Sequence, residues 1–173
     1  MRLITLLLLL TFSFNGLFGQ NSQKKNKNDY YILISDTSFV ASMPEQGATL
    51  KAEFKNDKIT KITTWFGFNF GDVTREYYYW NDSLITVLET QKLYNGSAVP
   101  KIVPDSVKAS YTGRYVFKKG KLTDISQKGS YSISDTPTTK EETEVIFLML
   151  SKKYIDLVNE KRAKKKNRIR AES

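Results

Sequence analysis

The chain has 173 residues, with 27 Lys and Arg against 18 Asp and Glu, a formal net charge of +9, and neither cysteine nor histidine. The two absences exclude disulfides and Ser-His-Asp or Cys-His nucleophiles, and remove the usual ligands of zinc, copper and non-haem iron. The charge sits at the ends: residues 28–160 carry 16 basic and 17 acidic side chains, and residues 161–173 carry seven basic residues and Glu172, so the body is not a basic nucleic-acid-binding domain.

Residues 1–20 have the layout of a secretory signal peptide: Met1-Arg2, an apolar run from Leu3, and Gly19-Gln20 near a cleavage point. The apolar stretch Leu3 to Phe18 is shorter than the roughly 20 residues of a membrane span, and Thr11, Ser13, Asn15 and Gly16 interrupt it. The expected organisation is a signal at 1–20, a disordered basic linker at 21–28, one α+β domain at 29–160 and a basic C-terminal tail at 161–173. The product is expected to be exported, periplasmic or extracellular, with no thiol to make it a lipoprotein. No later stretch is apolar enough to span a bilayer.

Tyr30 to Ser35, "YYILIS", predicts a first strand. A repeat follows: "TLKAEFKNDKITKI" from Thr49, "TREYYYWNDSLITV" from Thr74 and "TGRYVFKKGKLTDI" from Thr112. The copies share Thr at the first position, an aromatic at the sixth (Phe54, Tyr79, Phe117), a polar turn (Asn56-Asp57, Asn81-Asp82, Lys119-Gly120), and aliphatics at the eleventh and fourteenth (Ile59/Ile62, Leu84/Val87, Leu122/Ile125). Each reads as strand, tight turn, strand. Positions eleven and fourteen cannot share one face of a regular strand; a bulge intervenes, or both faces carry apolar groups. "TTWFGFNFGD" links the first two copies, and Glu89–Gly113, with Pro100, Pro104 and Asn95-Gly96, is a long excursion.

"TPTTKEETEVIFLMLSKKYIDLVNEKRAKKK" predicts a C-terminal helix, with Pro137 at its first position and Thr138 and Glu141 in capping-box spacing. Phe147, Leu150, Tyr154, Leu157 and Val158 form its apolar stripe. Val145, Ile146, Leu148 and Met149 widen the stripe nearly all round, so the first half is expected to be buried. The expected fold is an antiparallel meander of six or seven strands, built from the three hairpins, with this helix packed on it.

"REYYYWNDSLITV" and "GRYVFKKGKLTDI" resemble a group of small exported bacterial proteins with tandem aromatic-rich "YYF-x-(N/D)-G-K-L" hairpins. The resemblance covers Thr49 to Ile125. It implies an exported antiparallel-sheet protein and transfers no catalytic residue, cofactor or metal. Asp57 and Asp82 stand where glycine is usual in that motif, and only Gly120 fits it.

Carboxylates are the remaining general acid/base groups. Glu53 and Glu76 fall on one strand face, either as a hydrolytic pair or as solvent-facing partners of Lys51, Lys61 or Arg75. Asp57, Asp82, Asp105 and Asp124 lack calcium-loop spacing. Asn81 and Asn95 match a glycosylation pattern that Asn81 already satisfies as a turn residue.

The repeat assigns the aromatic run position by position. Tyr77 and Tyr79 are core, and Tyr78 is open between core and surface. Trp80 falls where the other copies have Lys55 and Lys118. Trp80, Tyr78 and Trp65 are therefore the expected ligand or partner surface. Lys161, Arg162, Lys164, Lys165, Lys166, Arg168 and Arg170 are the expected polyanion contact. The functional expectation is a non-enzymatic exported binding or interaction module for a protein, peptide or glycan, without specific nucleic-acid recognition. Its alternatives are an envelope-associated protein held by its basic tail and a carboxylate-dependent hydrolase.

Overall fold

The computed structural model describes residues 29–94, 109–130 and 139–171, with the side chains of 109 and 165–171 left aside. Seven strands form one antiparallel sheet in sequence order: β1 (Tyr30–Ile34), β2 (Gly47–Lys55), β3 (Lys58–Phe68), β4 (Gly71–Trp80), β5 (Ser83–Leu93), β6 (Ala109–Lys118) and β7 (Lys121–Gly129). One helix, α1 (Lys140–Ala171), crosses the sheet on a single face. A short 3₁₀ turn, Thr37–Phe39, brings Phe39 against Phe66 and Tyr154. The predicted α+β meander is thus the observed fold.

The three repeat copies are the hairpins β2–β3, β4–β5 and β6–β7. Each closes through two residues of positive φ: Asn56 and Asp57 (50° and 64°), Asn81 and Asp82 (47° and 62°), Lys119 and Gly120 (52° and 73°). That is the type I′ geometry whose twist matches the flanking strands. An aspartate at the second position is more strained there than glycine. Asp57 has other work, pairing with Arg162 at 2.6 Å and accepting from Tyr30 at 3.0 Å. Asp82→Gly should therefore stabilise the domain by about 0.5–1 kcal/mol, read as a higher urea midpoint at unchanged slope.

The open register question resolves in the same way in every copy. Pairing slips by one residue at Glu53/Phe54, Tyr78/Tyr79 and Val116/Phe117, which leaves Thr60, Ile85 and Thr123 as the extra residues. These are the twelfth repeat positions, and a bulge there rotates positions eleven and fourteen onto one face. Ile59 with Ile62 and Leu84 with Val87 are accordingly buried. The Thr60 and Thr123 hydroxyls donate to the Glu53 and Val116 carbonyls across the bulge, at 3.2 and 3.1 Å. Ile85 cannot make that bond.

α1 is described from Lys140. A reciprocal capping box joins Thr139 and Glu142, each backbone N–H held by the other's side chain at 3.1 Å; Pro137 and Thr138, the expected first helical residue and cap, lie outside the described residues. Phe147, Tyr154 and Val158 are buried, while Leu150 and Leu157 are half-buried. The expected burial all round the first half does not hold: Val145, Ile146 and Met149 are exposed and Leu148 is only half-buried. Among the described residues one helix packs on one sheet and meets it along one side only, so apolar residues opposite the stripe meet no described partner.

α1 runs from the β6–β7 turn to the β2–β3 turn. Near its start, Glu144 accepts from the Leu122 backbone N–H at 2.7 Å and from Lys121 at 3.0 Å. Its middle places Ser151 on the Tyr79 hydroxyl at 3.1 Å and Tyr154 edge-on to Tyr77. Further on, Arg162 lies over the Phe54 and Tyr30 rings. Away from the turns the covered face becomes polar. Arg75 Nε donates to Glu89 Oε2 at 2.6 Å, Gln91 donates to Glu89 Oε1 at 2.9 Å, and the Tyr111 and Tyr115 hydroxyls meet at 2.6 Å.

Candidate functional site on the sheet face opposite the helix

Strand alternation divides the aromatic run. Tyr77 and Tyr79 point under α1, whereas Tyr78 and Trp80 share the opposite face. On that face three rows cross the sheet. One contains Tyr31, Glu53, Lys61 and Tyr78; the next contains Leu33, Lys51, Thr63 and Glu76; the third contains Thr49, Trp65, Thr74, Thr90 and Thr112.

The predicted surface residues do not form one cluster. Tyr78 and Trp80 are neighbours two residues apart on β4. Trp65 pairs with Thr74, four residues from Tyr78, hence about 13 Å along the strand direction. Its indole lies on Gly67: a Cβ built there would stand 2.4 Å from the ring and 2.7 Å from Gln46 Cβ. Trp65 therefore also fills a structural role, covering a glycine. Trp80 is 70 % exposed, beside the second turn, paired with Ser83.

Sequence reasoning missed Tyr31. It is 61 % exposed, lies in the row of Tyr78, and has Lys51 Nζ 5.2 Å from its ring centroid. Glu53 and Lys61 stand between the two tyrosines, a span of three inter-strand gaps or about 14 Å. The "YYILIS" strand itself carried the signal, since one of two adjacent tyrosines had to face outward. An open groove lined by Tyr31, Lys51, Glu53, Lys55 and Thr60 lies at this margin.

The carboxylates on this face are bound into a ladder. Lys51 meets Glu53 at 2.9 Å, and Lys61 meets Glu53 at 3.6 Å and Glu76 at 3.2 Å. Tyr78 donates its hydroxyl to Glu76 at 3.1 Å. Arg75, expected as a possible partner here, points to the other face and takes Glu89 instead. The Lys51 hydrogen bond, with Lys61 nearby, holds Glu53 below the usual carboxylate range. A glycosidase acid needs the opposite, a carboxyl raised enough to keep its proton. What the arrangement offers is aromatic faces and hydroxyls around a self-neutralised charge ladder.

Of the seven basic residues expected to meet polyanions, three have described side chains. Lys161 pairs with Asp36 at 2.8 Å, Arg162 with Asp57 at 2.6 Å and Lys164 with Glu160 at 2.5 Å. The Lys161 ammonium, with Ser38, holds the Asp36 carboxyl well below its ordinary value. Lys165, Lys166, Arg168 and Arg170 follow on the same helix, which continues to Ala171; their side chains lie outside the described residues. Among the described residues, no group of three or more acidic side chains is placed to hold a metal ion, and no helix is long and apolar enough to cross a membrane.

No protein-family model, curated protein or solved structure matches the chain.

Proposed function

We propose that this is an exported, non-enzymatic binding module whose partner, a protein, peptide or glycan, is taken on the uncovered sheet face at Trp80, Tyr78 and Tyr31. The observation that carries this reading is Trp80, an indole 70 % exposed where both sister hairpins place lysine. Folding gains nothing from leaving so large an apolar surface in water. Aromatic rings and threonine hydroxyls on an uncovered sheet are suited to stacking on, and hydrogen bonding to, a flat or extended partner. Export rests on the composition of residues 1–20 and on the resemblance of the hairpins to small exported bacterial proteins.

The chain has two tryptophans, so Trp65→Phe leaves Trp80 as the sole indole reporter. Titration of that protein with soluble glycans and extended peptides should find a partner that shifts Trp80 emission to the blue. A matching Trp80→Lys protein should lose retention on the immobilised partner at unchanged stability. Full retention by Trp80→Lys would remove Trp80 from the site.

A further inference from the structure

The repeat sets three of its sister residues in line. Glu53, Lys61, Tyr78, Thr86 and Val116 are registered one against the next from β2 to β6. Lys55, Trp80 and Lys118 each stand two residues beyond a member of that row, after Glu53, Tyr78 and Val116. β2, β4 and β6 run in one direction, because every neighbouring pair is antiparallel. Two residues along a strand keep the face, so the three share the face opposite α1 and one level of the sheet. They occupy every second strand, hence about 10 Å from one to the next. All three are exposed, Trp80 at 70 %. An indole thus stands midway between two lysines.

Folding does not account for these lysines. Lys55 is paired across its turn with Lys58, and Lys118 with Lys121. Like charges directly opposite each other destabilise a hairpin. Glu144 relieves the second pair by taking Lys121 at 3.0 Å. Among the described residues the first pair has no such relief: Asp57, in its own turn, is held by Arg162 and Tyr30. Asp29 shares a groove with Lys55, Asp82 lies in the turn after Trp80, and Asp124 is registered with Val116. Among the described residues none of these carboxylates forms an ion pair with Lys55, Lys58 or Lys118.

We infer that this line is a subsite for an acidic glycan, with a sugar ring stacked on Trp80 and carboxylates on either side of it meeting Lys118 and the Lys55–Lys58 pair. The inference rests on the Trp80 reading above and narrows its partner to one class. β4 lies between β3 and β5, so its main chain is engaged on both sides and offers no edge to an extended peptide. A ligand here is held by side chains. The C–H face of a sugar ring is apolar and packs on a flat indole, while its hydroxyls stay in water. Lysines on both sides then favour a chain that carries carboxylates. Single-stranded nucleic acid takes a basic groove with successive aromatic platforms. This line has one indole, and residues 28–160 hold 16 basic against 17 acidic side chains.

The probes are oligogalacturonate and hyaluronan oligosaccharides, titrated into the Trp65→Phe protein and read by Trp80 emission, a signal to which binding at the basic residues 161–170 does not contribute. At least one acid should shift that emission and bind at least about tenfold more tightly than its neutral methyl ester. Lys55→Gln combined with Lys118→Gln should weaken the binding at least about tenfold. Lys140→Gln combined with Lys152→Gln, the same charge change on α1, should leave it within about twofold. Equal binding of the ester, or unchanged binding by the Lys55 and Lys118 double variant, would overturn the acidic class and leave Trp80 as the site of an uncharged partner. No binding of either acid, or equally tight binding of an oligoglutamate peptide or single-stranded DNA, would overturn the choice of glycan. Full retention of Trp80→Ala on the immobilised acid would remove Trp80 itself, and with it both this subsite and the reading beneath it.

Discussion

Tyr79→Lys should fail to fold, while Trp80→Lys, one residue further on, should unfold within about 0.5 kcal/mol of the unaltered protein. Tyr79 is 5 % exposed, sits under α1, and hydrogen-bonds Ser151 at 3.1 Å. Burial raises its hydroxyl well above the ordinary tyrosine pKa, a sign of how poorly the site tolerates charge. A lysine there must bury an ammonium or give up its proton. It also deletes a ring from the core, and an aromatic-to-small change alone costs about 3–5 kcal/mol. That is a large fraction of the roughly 5–15 kcal/mol that stabilises a domain of this size. At Trp80 the same ammonium enters water, at the position where the sister hairpins already hold Lys55 and Lys118. Circular dichroism and urea unfolding of the pair decide it. A folded Tyr79→Lys protein would mean that the covered face is not the core.

Gly113→Ala should destabilise the domain by about 1–3 kcal/mol, the usual range for overpacking a core, although alanine is the milder residue for a strand elsewhere. Gly113 lies on the covered face, paired with Glu89 on one side and Gln127 on the other. A Cβ built on it would stand 2.8 Å from the Tyr111 hydroxyl, the Tyr115 hydroxyl and Tyr115 Cε2. Tyr111 and Tyr115 are 3 % and 2 % exposed, and their hydroxyls meet at 2.6 Å over the bare glycine. The added methyl forces that pair apart inside the sheet, where an unmet hydroxyl costs about 1–3 kcal/mol. A single large-to-small partner, Gly113→Ala with Tyr111→Phe, should recover part of the loss. If Gly113→Ala matches the unaltered protein in urea, the tyrosine pair does not bear on the glycine as described.

Much of this fold was legible because the hairpin unit occurs three times. The copies act as controls on one another, and Asn-Asp and Lys-Gly at the same offset identify the turns before any contact is known. The bulge was not decidable from spacing, since aliphatic residues three apart fit a bulge or a two-faced strand equally. Only the paired register at Thr60, Ile85 and Thr123 separates them. The capping box was ambiguous for a local reason: Thr138-Thr139 and Glu141-Glu142 are tandem, so both spacings satisfy the rule, and the structure shows Thr139 with Glu142. The exposed Val145 and Met149 were misread because helical periodicity records which residues are apolar, not how many surfaces a helix meets.

The candidate site shows the same division. Trp80 stood out by its mismatch with two lysines, and its exposure follows from it. Tyr78 could not be assigned because its sisters, Glu53 and Val116, disagree. The pairing of Arg75 with Glu89, 14 residues apart, depends on a face assignment that the bulge fixes. Tyr31 lies outside the repeat, so no sister copy tested it.

Acrylamide quenching of the Trp65→Phe protein tests most directly the claim that Trp80 stands in solvent on the sheet face opposite α1. Before any partner is added, Trp80 should be quenched nearly as readily as a free indole in water, in a protein that still unfolds cooperatively in urea. Strong protection of Trp80 in that folded protein would contradict the account, because it would put the indole inside a packed interface.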